Sequence, residues 1–144
     1  SSKGEISMST RSNIILVTPD NRVHQFYHHC DGYLYGVGEE LRRSVLYSIG
    51  FTTVVKDVSM YDAMLNCLSL DEDYESEHIR DLNDRNRIHA DIEYTYVIKG
   101  SDLYYVYKWG LHDLVNTNKD LIDYICKDCN KISLGKRLTR EDDK

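Results

Sequence analysis

Apolar and polar positions along the chain fall into blocks with two different periods. Asn13 to Thr18 is an apolar-rich run without alternation, which predicts a strand buried on both faces. Pro19-Asp20-Asn21 reads as a turn, because proline fixes φ and Asp and Asn bond their own backbone. Arg22 to His29 alternates, with Val23 and Tyr27 on one face and Phe26 on the other, so the two segments predict a hairpin. The period changes at the glycines that follow. Val37, Leu41, Val45 and Ile49 recur at four-residue steps with Leu46 beside them, the stripe of an amphipathic helix over Glu39 to Ile49. Glu39 and Glu40 suit the positive end of its dipole, and Gly50 is expected to end it. Phe51 to Val55 reads as a short strand. Ser59 then caps a second helix to Leu68, with Met60, Met64, Leu65 and Leu68 on one face.

The second half repeats the theme. Asp71 to Glu77 carries five carboxylates in seven residues, and the polar stretch to Arg87 reads as an exposed helix or a mobile loop. Ile88 to Lys99 is the clearest strand, with Ala90, Ile92, Tyr94, Tyr96 and Ile98 alternating against His89, Asp91, Glu93, Thr95 and Val97. Lys99-Gly100-Ser101-Asp102 predicts a hairpin turn, and Leu103, Tyr105, Tyr107 and Trp109 share a face of the returning strand. Asn118 to Cys126 predicts a last helix with Leu121, Ile122 and Ile125 inward. The implied fold class is α+β: an antiparallel sheet built from two β-hairpins, with helices packed on one face. Residues 8–130 form the expected single domain. Residues 1–7, ahead of Met8, read as an expression scar, and the charged segment 131–144 is expected to be a mobile tail.

Composition narrows the function classes. At 144 residues, 41% hydrophobic and 29% charged, the chain is long and apolar enough to bury a core. Its net charge of −6 disfavours non-specific nucleic-acid binding, while the acidic run 71–77 suits a basic partner. No run approaches the roughly 20 apolar residues of a membrane span, and the polar start followed by the short run Ile14 to Val17 does not resemble a signal peptide. A cytoplasmic protein with free thiols is expected from its four cysteines. Twelve tyrosines suit strands, pockets and interfaces alike, and Tyr104 and Tyr105, on opposite sides of their strand, leave room for a homo-oligomer.

Candidate chemistry concentrates in Tyr27 to Gly38, where two imidazoles, a thiol, a carboxylate, three phenols and three glycines occupy twelve residues. Glycines at such a boundary permit sharp turns and open amide N–H groups to a ligand. A hairpin brings Arg11 and His29 close, and Asp91 and Glu93 share a face of the later strand. The candidate ligand-binding set is therefore Arg11, His29, Asp31, Gly32, Tyr33, Gly36, Asp91 and Glu93. A small anionic or nucleotide-like ligand would lie against Arg11 and the loop amides, with Tyr33 stacking on a ring. The plainer alternative is an arginine–carboxylate network tying strand to loop, with Asp31 making a turn and Gly32 supplying a positive φ. An enzyme alternative, a small hydrolase or nucleic-acid-modifying enzyme, uses His29 as general acid or base, Asp31 or Asp91 to orient it, and Arg11 to stabilise an anion. His28, His29, Asp31, Asp91 and Glu93 are donor types but lack a metal-binding spacing, and Cys126-x-x-Cys129 lacks two further ligands. No P-loop, nucleophile elbow or dinucleotide fingerprint is present, so neither metal nor cofactor is expected.

Met8-Ser9-Thr10-Arg11, then His29-x-Asp31-Gly32-Tyr33-x-x-Gly36, then Asp91-Ile92-Glu93-Tyr94, together resemble a family of small proteins of phages, prophages and related mobile elements. The resemblance covers roughly residues 8 to 50 and 88 to 108. This chain departs from the family pattern at Cys30, Leu34 and Tyr35, where Trp, Pro and Glu are usual. An acid–base role at position 35 is therefore not implied here. What the resemblance implies is context, a small phage or mobile-element protein in a host cytoplasm. With the net negative charge and the tyrosine-rich strands, that context makes a non-enzymatic binding protein the expected function, one that engages a host macromolecule or sequesters a small anionic or nucleotide-like ligand.

Overall fold

A computed structural model describes residues 10–81, 92–107, 127 and 129–144. One six-stranded sheet organises them, in the order β3-β2-β1-β4-β5-β6. Its strands are β1 (Ser12–Val17), β2 (Arg22–His28), β3 (Tyr74–Asp81), β4 (Tyr94–Lys99), β5 (Asp102–Tyr107) and β6 (Asn130–Lys131). The β1–β2 and β4–β5 hairpins form as their patterns predict, with Ile14 opposite Phe26 and Tyr96 opposite Tyr105. All pairs are antiparallel except β1 with β4, which run parallel and join the two hairpins into one sheet. That central placement explains the unbroken apolar run of β1: each of its six residues is buried, since both faces are covered.

Left-handed backbone appears at the turns. Asn21 (φ 63°) closes β1–β2 and Gly100 (φ 61°) closes β4–β5. Strand β3 was expected as loop or exposed helix. Tyr74, 6% exposed, anchors it in the core, and its hydroxyl donates to Glu40 Oε1 at 2.7 Å. Among the described residues β3 lies at an edge of the sheet, which accounts for the acidic Glu75 on this strand, because charge on an edge deters pairing with other chains.

Helix α1 (Glu39–Val54) and helix α2 (Met60–Ser69) cover one face of the sheet. Leu41 and Val45 of α1 and Met64 and Leu68 of α2 pack with Ile14, Leu16, Phe26, Tyr96, Ile98 and Leu103 of the sheet. Ser59 caps α2 as expected, its hydroxyl accepting the Asp62 N–H at 3.0 Å. Gly50 does not end α1, and no strand forms at Phe51 to Val55; the helix continues to Val54. A mid-helix glycine costs only about 1 kcal/mol against alanine. The hydroxyls of Thr52 and Thr53 fold back on the carbonyls of Ser48 and Ile49, so these β-branched residues stay helical. The expected helix at 118–126, Trp109 and residues 88–91 lie outside the described residues.

Candidate functional site

The glycine-rich turn is built from the end of β2. His28 is buried against the edge of the Tyr74 ring, with Nδ1 bonded to the Cys30 carbonyl. His29 points the other way, is exposed, and its Nδ1 lies 3.0 Å from the Tyr27 hydroxyl. Asp31, not Gly32, takes the left-handed conformation (φ 56°). This corrects the expected role of Gly32, which is close approach. Its N–H donates to the Thr10 carbonyl at 2.9 Å, its carbonyl accepts the Tyr96 hydroxyl at 2.6 Å, and a Cβ there would lie 2.8 Å from the Thr10 oxygen. One π-helical turn, Leu34–Gly38, then leads into α1. The Gly36 and Gly38 N–H groups donate to the Tyr33 carbonyl, and Val37 donates to Asp31. A side chain at Gly36 would collide with the Asp31 carbonyl oxygen.

Two amides of this turn point outward, and the chain itself occupies them. Leu34 N–H donates to Asp143 Oδ1 at 2.8 Å and Tyr35 N–H to Asp143 Oδ2 at 3.0 Å. The Tyr94 hydroxyl donates to the same carboxylate at 2.9 Å. Burial first, and that carboxylate second, push the Tyr94 phenol above its ordinary value. The loop amides that sequence reasoning offered to a ligand are thus capped from within.

Arg11 and Glu93 do meet, through main chain: the Arg11 carbonyl accepts the Glu93 N–H at 3.0 Å. Both side chains are half-buried, whereas those of His29 and Asp31 are exposed. Asp91 and Cys126 lie outside the described residues. Among the described residues, no three His, Cys, Asp or Glu side chains gather as a metal site requires.

The segment 131–144, expected as a mobile tail, packs against the sheet and α1. Ile132 is 4% exposed within the core and its N–H donates to the Leu103 carbonyl at 2.8 Å. Leu134 and Leu138 pack against the same core. A 3-10 turn, Arg140–Asp143, closes the segment with a capping box between Thr139 and Asp142. Apolar residues at 132, 134 and 138, with a carboxylate for uncapped amides, outweigh the charge that suggested fraying.

Where this segment meets the start of α1 it encloses an open cleft of about 640 Å³. Its walls carry Tyr35, Arg42 and Arg43 on the helix side and Arg137, Thr139 and Arg140 on the C-terminal side, with Glu39 at its base. Glu39 is 6% exposed and accepts a two-pronged contact from Arg42, at 2.7 Å from Nε and 2.8 Å from Nη2. The Arg42 contacts above all, with the Leu138 N–H at 2.9 Å, hold the Glu39 carboxyl below its ordinary value. Arg42 also donates to the Leu134 carbonyl at 2.7 Å, so it braces the two walls. Arg43 reaches within 3.6 Å of Glu39 and is largely exposed. Arg137 has no carboxylate partner among the described residues, and the Arg140 guanidinium lies 5.4 Å from the centre of the Tyr35 ring, which stacks on Tyr33. The acids beside Arg140 face elsewhere: Glu141 pairs with Lys144 at 3.1 Å, Asp142 caps Thr139, and Asp143 caps the π-turn.

None of the four arginines stood among the residues singled out from sequence. Their signal was the Arg42-Arg43 doublet and the Lys136-Arg137 pair with Arg140, basic steps in an acidic chain. No family model, curated protein or solved structure matches this chain.

Proposed function

We propose that this protein is a small binding module that sequesters an anionic ligand in the arginine-lined cleft between the start of α1 and the C-terminal segment. The observation that carries this reading is the gathering of four arginines around one carboxylate, on a chain whose net charge is −6. Cations cluster against the sign of the whole protein where an anion repays their mutual repulsion. The cleft volume falls within the roughly 300–1,000 Å³ usual for small-molecule sites. Arg42 is fully engaged by Glu39 and Leu134, so the cleft is pre-formed around it. The motif resemblance adds a context to this proposal, a phage or mobile-element protein working in a host cytoplasm.

Among the described residues, His29 and Asp31 give the hydrolase alternative through His29, Asp31, Asp91 and Arg11 no support, and Asp91 lies outside them. His29 bonds Tyr27 on an exposed surface, and Asp31 contributes its carbonyl to a turn. The test is a thermal-shift screen of the full chain against anions and neutral analogues, with Arg43→Gln/Arg137→Gln/Arg140→Gln as control. Anions raise the melting temperature of the natural protein and not of the triple variant, as mass action requires. Equal shifts in both proteins, or none in either, would overturn the reading.

A further inference from the structure

The cleft's lining sets four arginines against one carboxylate, an excess of three positive charges. Glu39 is held closely by Arg42 and more loosely, at 3.6 Å, by Arg43, while Arg137 and Arg140 on the C-terminal wall have no carboxylate partner among the described residues. One phosphoryl group carries about 1.5 to 2 negative charges near neutral pH, short of three guanidinium groups. The cleft, at about 640 Å³, is also several times larger than one phosphoryl group, so it has room for a larger anion. Guanidinium is the side chain suited to forked contacts with phosphoryl oxygens.

The second wall stands only while segment 137–140 is docked. Three residues beyond Arg140, Asp143 joins the amides of Leu34 and Tyr35 and the Tyr94 hydroxyl in one carboxylate. Arg140 itself lies over Tyr35, the residue whose amide Asp143 caps. Whatever binds Arg137 and Arg140 against Arg43 therefore favours the docked segment, and the two equilibria are linked.

Resting on the anion-cleft reading above, we infer that the ligand carries two adjacent phosphoryl groups and bridges Arg43 on the helix wall to Arg137 and Arg140 on the C-terminal wall, which Asp143 holds in place as a positioning residue. A nucleoside diphosphate, an inorganic diphosphate or another diphosphate ester shares this chemistry.

Calorimetric titration of the full chain at low salt with pyrophosphate, orthophosphate and tricarballylate tests the inference, the last probe matching charge without phosphorus. Pyrophosphate binds about tenfold more tightly than either other probe. Arg137→Gln and Arg140→Gln, both on the exposed cleft wall, each weaken pyrophosphate by about tenfold, and Arg137→Gln does so without moving the urea midpoint. Asp143→Asn weakens pyrophosphate and speeds amide exchange at Leu34 and Tyr35, and saturating pyrophosphate slows that exchange in the natural protein. Should no anion bind at all, the cleft reading falls and this inference with it. Orthophosphate or tricarballylate binding as tightly as pyrophosphate overturns the inference alone, and so does unchanged pyrophosphate affinity in Arg137→Gln or Arg140→Gln. Asp143→Asn with unaltered affinity and exchange removes Asp143 from its role.

Discussion

The turn at 31–38 and the segment at 131–144 use their polar groups in opposite ways. In the turn, the N–H groups of Gly32, Gly36, Val37 and Gly38 donate to backbone carbonyls, and the carbonyl of Gly32 takes the Tyr96 hydroxyl. In the C-terminal segment, the Leu138 N–H and the Asp143 carboxylate face the protein while Arg137 and Arg140 face the cleft. A dense run of glycine, histidine and tyrosine here builds a sharp change of direction from strand to π-turn to helix. The binding surface arises instead from ordinary helix and coil residues, because a cleft needs two walls and these come from segments 99 residues apart.

The contrast breaks most sharply at Gly36. Gly36→Ala forces a methyl group onto the Asp31 carbonyl and lowers unfolding stability by about 3 kcal/mol, read from urea denaturation. An unmoved midpoint would mean that the turn yields and is no rigid frame. Next comes the brace between the regions. Glu39→Gln leaves the Arg42 guanidinium without its buried carboxylate and costs about 2 kcal/mol at neutral pH. Because the folded Glu39 carboxyl titrates below its ordinary 4.5, its contribution is whole above that pH and is lost as pH falls through the lower, folded value. Stability of the natural protein measured from pH 6 down to about 3 therefore drops more steeply than that of Glu39→Gln. Parallel curves would remove Glu39 from the brace.

Tyr96→Phe probes the inward commitment of the turn. It leaves the buried Gly32 carbonyl unanswered and costs about 1.5 kcal/mol by thermal or urea unfolding. The smallest effect belongs to the residue that sequence reasoning prized most. His29→Ala changes stability by less than about 0.5 kcal/mol and leaves anion binding as it was, since the ring is exposed and bonds the neighbouring Tyr27. A lost anion response in His29→Ala would move the site back to the motif turn.

Much of the scaffold was legible in the pattern. Uninterrupted apolar residues at Ile14 to Val17 marked the central strand, alternation at Tyr94 to Ile98 marked its parallel neighbour, and the four-residue step through Leu41 and Val45 marked α1. Strand β3 was hidden because Asp71 to Glu77 reads as solvated loop; an edge strand tolerates such charge where a central one does not. The end of α1 was misplaced because glycine is a strong stop signal only where the next residues leave the helix. The packing of Ile132, Leu134 and Leu138 leaves no mark in the pattern, because three apolar residues among charges show no period.

Local patterning, then, determined which segments become strands and helices and which faces they bury, because burial acts on each residue through its neighbours one to four positions away. Which arginines share a cleft, and which carboxylate answers the open amides of the π-turn, was decided only by the packed structure. Those groups are separated by some hundred residues, and neither their meeting nor the charge they leave unanswered has any trace in local spacing.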